Sequence, residues 1–231
     1  MATDSELDHD IIVIGAGVCG IYALHCLLQK NLNITVLEAG SGPGGTWYWN
    51  RYPGCRFDSE SWSYGYSFSN EILNEWNWTE HFASQPETLS YLEFVVDKLN
   101  LKPHMQFDCK VKRCTWDENT RSWEVLLADS RRLTTRFLMT AIGLLSAPTM
   151  PTIDGLDDFE GEAWHTYYWP GKKVEFTGKR VGVIGTGATG VQVIAELADK
   201  VKELTVFQRR PNWCAPLNNT KITPEEMDAI K

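Results

Sequence analysis

The chain has 231 residues, a net charge of −8 and 43% hydrophobic residues. That is enough apolar material to bury a core in one large domain or two smaller ones. An acidic chain with no basic run excludes nucleic acid as an expected partner. No apolar run reaches the length of a membrane span, and Met1–Asp10 lacks the cationic start and apolar stretch of a signal peptide. The expectation is a soluble cytoplasmic protein without a membrane partner. Cys19, Cys26, Cys55, Cys109, Cys114 and Cys214 form no Cys-x-x-Cys pair and His is sparse, so they read as reduced thiols and no metal site is expected. Ten Trp suit a core or the wall of a cavity for a planar ligand.

In chain order, Ile11-Ile12-Val13-Ile14 ending at Gly15 predicts a buried strand. Residues 18–30 carry Ile21, Leu24, Leu27 and Leu28 at helical spacing, and 34–38 is a second short strand. Strand, glycine turn, helix, strand is a βαβ unit. Residues 40–70, rich in Gly, Pro, Trp and Tyr, read as a long ordered loop. A helix over 87–99 follows, then strands over 106–115 and 123–127 around the turn-prone Asp117-Glu118-Asn119, and a strand over 136–142. Pro148 and Pro151 mark a plausible boundary. The first pattern then returns as strand 180–184, turn 185–190, helix 191–200 and strand 204–207. The expected fold is therefore α/β, with two Rossmann-like dinucleotide-binding domains. The first part spans 1–145, and an incomplete second domain spans 146–231.

Both turns read Gly-x-Gly-x-x-Gly. In the first, Gly15 allows the tight bend, Gly17 lets the backbone approach a pyrophosphate, and Gly20 lets the helix pack against the strand. The helix N-terminus then offers N–H groups and a positive dipole end to the anion. Glu38, ending the next strand, is placed to accept hydrogen bonds from a ribose diol. The second turn is Gly185-Thr186-Gly187-Ala188-Thr189-Gly190. Its following strand ends Phe207-Gln208-Arg209-Arg210 instead of in an acid, and arginine there favours a 2′-phosphate. FAD suits the first turn and NADPH the second.

Between the turns, residues 159–170 read Phe-x-Gly-x-x-x-His-x-x-x-Trp-Pro, with Phe159, Gly161, His165, Trp169 and Pro170 at the specified positions. A second stretch runs Gly44-Gly45-Thr46-Trp47-Tyr48-Trp49-Asn50-Arg51-Tyr52-Pro53-Gly54-Cys55-Arg56-Phe57-Asp58, and a third is Phe207-Gln208-Arg209 with Pro211-Asn212. With these three motifs the chain, from about residue 8 to its end, closely resembles the type I Baeyer–Villiger monooxygenases. The resemblance implies a flavin monooxygenase of the EC 1.14.13 class. NADPH would reduce FAD, a C4a-peroxyflavin would form with O2, and one oxygen atom would be inserted beside a ketone carbonyl to give an ester or lactone. Carried over by position, Gly15, Gly17, Gly20 and Glu38 would hold FAD. Gly45, Thr46, Trp47, Trp49, Arg51 and Asp58 would wrap the flavin end, and Asp58 matches an active-site aspartate. Gly185, Thr186, Gly187, Thr189 and Gly190 would cradle the NADPH pyrophosphate, with Arg209 on the 2′-phosphate. His165 and Trp169 would be structural and conformational residues.

The chain departs from the family pattern at Leu144, where many members carry glutamine, and at Arg210, where Thr is usual. Thr223-Pro224-Glu225-Glu226 reads as a helix start about two turns before the last residue. Family members are roughly twice as long, so a C-terminal half would be a partner of this piece and would supply a catalytic arginine. The 231-residue chain alone is expected to be inactive. Two other readings stay open: a related flavin N- or S-monooxygenase, and a truncated, non-catalytic nucleotide-binding fragment.

Overall fold

The computed structural model describes residues 7–231, so Met1–Glu6 of the acidic start lie outside the described residues. The first elements in chain order are β1 (His9–Ile14), α1 (Val18–Leu28), β2 (Ile34–Leu37) and the short helices α2 (Thr46–Trp49), α3 (Ser61–Tyr64) and α4 (Asn70–Glu75). Next come α5 (Gln85–Lys98), β3 (Met105–Gln106), β4 (Val111–Asp117), β5 (Ser122–Leu127) and β6 (Arg132–Thr140). The last are β7 (Arg180–Ile184), α6 (Ala188–Leu197), β8 (Glu203–Phe207) and α7 (Pro224–Ile230). Two compact units form. One is the chain up to Tyr48 with Leu89–Ala147; the other is Trp49–Thr88 with Pro148–Lys231. The chain passes between them at 147–148, beside the expected boundary, but the aromatic segment 49–88 packs with the C-terminal unit.

In the first unit a six-stranded sheet has the order β3-β2-β1-β6-β5-β4. β1, β2, β3 and β6 run parallel, while β5 pairs antiparallel with both β6 and β4. β6 serves two neighbours in succession: Arg132 to Thr135 pair with β5, and Thr135 to Thr140 pair with β1. The edge strands β3 and β4 are nevertheless separated only by residues 107–110. Such a link spans at most about 18 Å, whereas a flat six-stranded sheet would put its edges about 24 Å apart. The sheet must therefore fold over. Its inside is filled by Ile12, Leu37, Cys109, Val125 and Leu127, all nearly inaccessible. The single strand expected over 106–115 is thus two. It breaks at Asp108 (φ +55°), and the Cys109 N–H pairs with the Glu38 carbonyl at 2.8 Å.

The other expected elements form with end shifts of a few residues. The stretch 40–70 differs more, because three short helices begin within it. α4 starts where the Ser69 side chain accepts a hydrogen bond from the Ile72 N–H. In the second unit β7 and β8 pair in parallel around α6, over a core of Phe176, Val193 and Leu197 joined by Tyr52, Trp164 and Trp169. α7 has the expected start: Thr223 and Glu226 form a reciprocal capping box with Pro224 in the first turn. No helix of the described residues is long and apolar enough to cross a membrane.

The helix of each glycine turn begins almost in contact with its strand. A Cβ on Gly20 would lie 1.9 Å from the Gly15 carbonyl oxygen, and one on Gly190 would lie 2.3 Å from that of Gly185. We expect Gly20→Ala to destabilise the fold by about 3 kcal/mol or more, since the clash is with backbone that cannot swing aside. Gly171→Ala, whose added Cβ would meet nothing within 4 Å, should be neutral. Denaturant midpoints of the two variants against the parent chain check this.

Candidate functional site

The two turns superpose in register as well as in sequence. Ile14 pairs with Leu37 and Ile184 with Phe207; the Gly15 N–H donates to the Leu37 carbonyl and the Gly185 N–H to the Phe207 carbonyl, each at 2.8 Å. Gly15 and Gly185 adopt φ of +103° and +101°, which a side chain would strain. α1 and α6 then start at Gly17 and Gly187, with no side-chain cap and no acidic residue in the first turn. α4 and α7, by contrast, carry a capping side chain and an acidic first turn. An uncapped, acid-free helix start leaves its positive end for an external anion. A Cβ on Gly187 would meet nothing within 4 Å, so this start faces open space. These two cradles fit a dinucleotide pyrophosphate.

The first turn is tightly held. Glu38 is buried, and its carboxylate accepts from the Ala16 N–H and the Gly40 N–H, both at 2.8 Å. The Gly44 N–H donates to the Ala16 carbonyl at 2.9 Å, and a Cβ on Gly45 (φ +53°) would lie 2.7 Å from the Gly17 Cα. The loop 44–47 therefore closes against the turn, with Trp47 buried and Thr46 exposed. Tyr48 pins the adjoining strand exit, its hydroxyl accepting from the Ser41 N–H at 3.0 Å. Glu38 thus has a role beyond the expected ribose contact: it shapes the turn itself.

Gln208 occupies the corresponding position of the second turn. Its Oε1 lies 3.5 Å from the Thr186 hydroxyl, and the Asn212 side chain donates to the Thr186 carbonyl. Thr189 is half-buried, and Arg209 and Arg210 are both exposed beyond the strand end.

The remaining candidates divide between the units. Gly15, Gly17, Gly20, Glu38, Gly45, Thr46 and Trp47 belong to the first. Trp49, Arg51, Asp58 and the fingerprint residues belong to the second, with the second turn. Arg51, Trp169 and Pro170 line one cavity of about 300 Å3, to which Lys172 and Lys173 add positive charge. Asp58 is exposed and does not cap a helix: α3 begins at Ser61 with Glu60 at its cap position. Its place is set by the neighbouring Phe57, which stacks on Tyr64 at 4.5 Å and meets Trp78 edge-on. His165 is local scaffolding, its Nδ1 accepting from the Tyr167 N–H at 3.2 Å at the start of a 3-10 turn. Trp169 stacks on Phe176 at 6.0 Å, whereas Phe159 is exposed and packs over Gly161.

Sequence reasoning gave no role of their own to Tyr48 and Tyr52, which it quoted only within the second motif, and passed over Gln192. Gln192, two residues beyond Gly190, was a polar residue on a helix otherwise read for its apolar face, and its partners are distant in sequence.

Two expectations follow. Glu38→Gln leaves one acceptor for two buried N–H donors and turns an NH2 toward one of them. We expect a loss of about 1–3 kcal/mol in denaturant unfolding. Burial pushes the Cys55 thiol from its ordinary 9.0 to about 11. The neutral thiol is the form the fold favours, so its contribution is full below pH 9 and lost as pH rises through 11. Unfolding midpoints across that range should fall for the parent chain relative to Cys55→Ala.

The comparisons with known proteins agree with this geometry. A family model described as pyridine nucleotide-disulphide oxidoreductase matches residues 12–229. The chain is 50% identical over 96% of its length to 42% of the 2-oxo-Delta(3)-4,5,5-trimethylcyclopentenylacetyl-CoA monooxygenase of Pseudomonas putida. It is 45% identical over 92% of its length to 39% of a Baeyer-Villiger monooxygenase of Pseudooceanicola batsensis. A crystal structure of OTEMO in complex with FAD and NADP matches at 50% identity and a TM-score of 0.93, covering 98% of this chain and 43% of that one. The chain therefore spans about two fifths of the length of the curated relatives it matches. Over that share it is closely similar to Baeyer–Villiger monooxygenases, and it belongs to the pyridine nucleotide-disulphide oxidoreductase family.

Proposed function

We propose that this chain forms the FAD- and NADPH-binding N-terminal part of a monooxygenase that inserts one atom of O2 beside a ketone carbonyl, giving an ester or lactone. The observation that carries the reading is the pair of glycine turns. Each opens onto a helix with no cap and no acid of its own, while α4 and α7 of the same chain have both. The complexes of OTEMO with FAD and NADP support two nucleotides in a chain of this kind, and the relatives named above support ketone oxygenation.

FAD bound at the first turn would supply the oxygen-activating chemistry, and NADPH at the second would supply the electrons. The residues of this chain bind, orient and exclude. Gly15, Gly17 and Gly20 bring the α1 amide end to the FAD pyrophosphate, while Glu38 holds the turn and faces the ribose. Gly45, Thr46 and Trp47 close the turn's flank, and Trp49, Arg51 and Asp58 serve the flavin end. Gly185, Thr186, Gly187, Thr189 and Gly190 receive the NADPH pyrophosphate, and Arg209 takes the 2′-phosphate, with Arg210 adding positive charge. Asp58, exposed on a loop anchored by Phe57, is the residue we assign to the active site.

Titrating the purified chain with FAD and with NADPH tests the reading: micromolar binding of both is expected, and binding of neither would overturn it. Arg209→Ala should weaken NADPH by about 10- to 100-fold, the value of one charge-assisted contact. NADH binding should be unchanged. Equal loss for both nucleotides would remove the 2′-phosphate role from Arg209.

A further inference from the structure

Three residues outside the nucleotide assignments above meet in the second unit. The Tyr52 hydroxyl donates to Gln192 Oε1 at 2.9 Å, and the Arg56 N–H reaches the same oxygen at 3.4 Å. Gln192 Nε2 in turn donates to the Arg56 carbonyl at 2.8 Å. The amide of Gln192 thus pairs with both backbone groups of residue 56, as a neighbouring strand would, which fixes its orientation. Gly54 (φ +77°) lies so close to α6 that a Cβ would come within 2.6 Å of the Gln192 carbonyl. The loop 52–56 can dock on α6 only in this register.

The clamp reaches in two directions. On one side Gln192 lies on α6, two residues beyond Gly190 of the second glycine turn, so the clamp is anchored on the helix that opens from that turn. Burial keeps the Tyr52 phenol well above its ordinary range, so it stays neutral and able to donate. On the other side, the Arg56 guanidinium bonds Glu80 and the Phe82 carbonyl, both at 3.2 Å, and Asn219 donates to Glu80 at 2.7 Å. Arg51 and Asp58 flank the clamped segment.

We propose that Tyr52 and Gln192 are positioning residues that couple occupancy of the second glycine turn to the setting of the loop bearing Arg51 and Asp58. This deepens the function proposed above and rests on nucleotide binding at that turn. A pyrophosphate received at the amide end of α6 orders the first turns of the helix that carries Gln192. Gln192 transmits the change through its bond with Tyr52 and its two bonds to the backbone of residue 56. The flavin-side loop is thereby set by the nicotinamide nucleotide through a hydrogen-bonded side-chain pair.

Hydrogen–deuterium exchange of the 231-residue chain, with and without NADP+, tests the coupling. In the parent chain NADP+ should slow exchange both in the turn, residues 185–192, and in the loop, residues 52–58. Tyr52→Phe and Gln192→Leu should keep the slowing in the turn and lose it in the loop, a change of about tenfold. Tyr52→Phe removes only a hydroxyl and keeps the test valid if Gln192→Leu fails to fold. Loop slowing that survives in Tyr52→Phe, or a parent chain in which only the turn responds, overturns the coupling and leaves the nucleotide site standing. A parent chain in which neither segment responds, with no NADP+ binding by calorimetry, overturns the nucleotide site and the coupling with it.

Discussion

Two carbonyl oxygens, those of Gly15 and Gly185, leave no space for a side chain on the helix that follows each strand. Because Gly20 and Gly190 lack a Cβ, α1 and α6 can start directly over the ends of β1 and β7. The helix amides then face the open side of the turn instead of being carried away by a longer loop. Everything proposed for the chain's chemistry follows from where this contact puts two positive helix ends.

The same backbone solution is finished differently in each unit. Around the first turn a buried carboxylate, a folded-back glycine loop and a pinned tyrosine hold the backbone in place, while the α1 amide end stays uncapped. Preorganisation of that kind lowers the ordering cost of binding. Around the second turn the corresponding side chain is the amide of Gln208, 3.5 Å from its nearest partner, and two arginines project outward. Charge, more than shape, distinguishes it. The same turn is thus held by a carboxylate in one unit and flanked by an amide and two arginines in the other.

Much of this was legible in the sequence because it is local. The glycine spacing, the apolar strands and the Thr223 cap depend on residues a few positions apart, and both βαβ units formed as read. The elements misread were decided at a distance. The strand expected over 106–115 reads as continuous because Phe107, Cys109 and Val111 alternate with polar residues. It breaks because a sheet folded over on itself needs β3 and β4 on different edges. The aromatic segment 49–88 reads as part of the first domain because it follows it in the chain, yet its partners are Gln192 and Asn219. Glu38 was legible as an acid at a strand end, but not its hold on Ala16 and Gly40, since those bonds depend on the turn's path in space.

The sharing of β6 has a consequence for how the protein acquires its shape. β4, β5 and β6 are sequential antiparallel neighbours and can zip up locally, and β1 can pair with the nearby β2, whereas the β1–β6 pairing joins strands more than a hundred residues apart. Ala141, just past β6, donates to the Ile14 carbonyl at 2.8 Å and its own carbonyl walls in Gly15. On the ribosome, therefore, the leading glycine motif emerges early but stays unfinished until residue 141 has been synthesised and threaded beside it. Its sequence comes first in translation, and its geometry waits for residues far downstream.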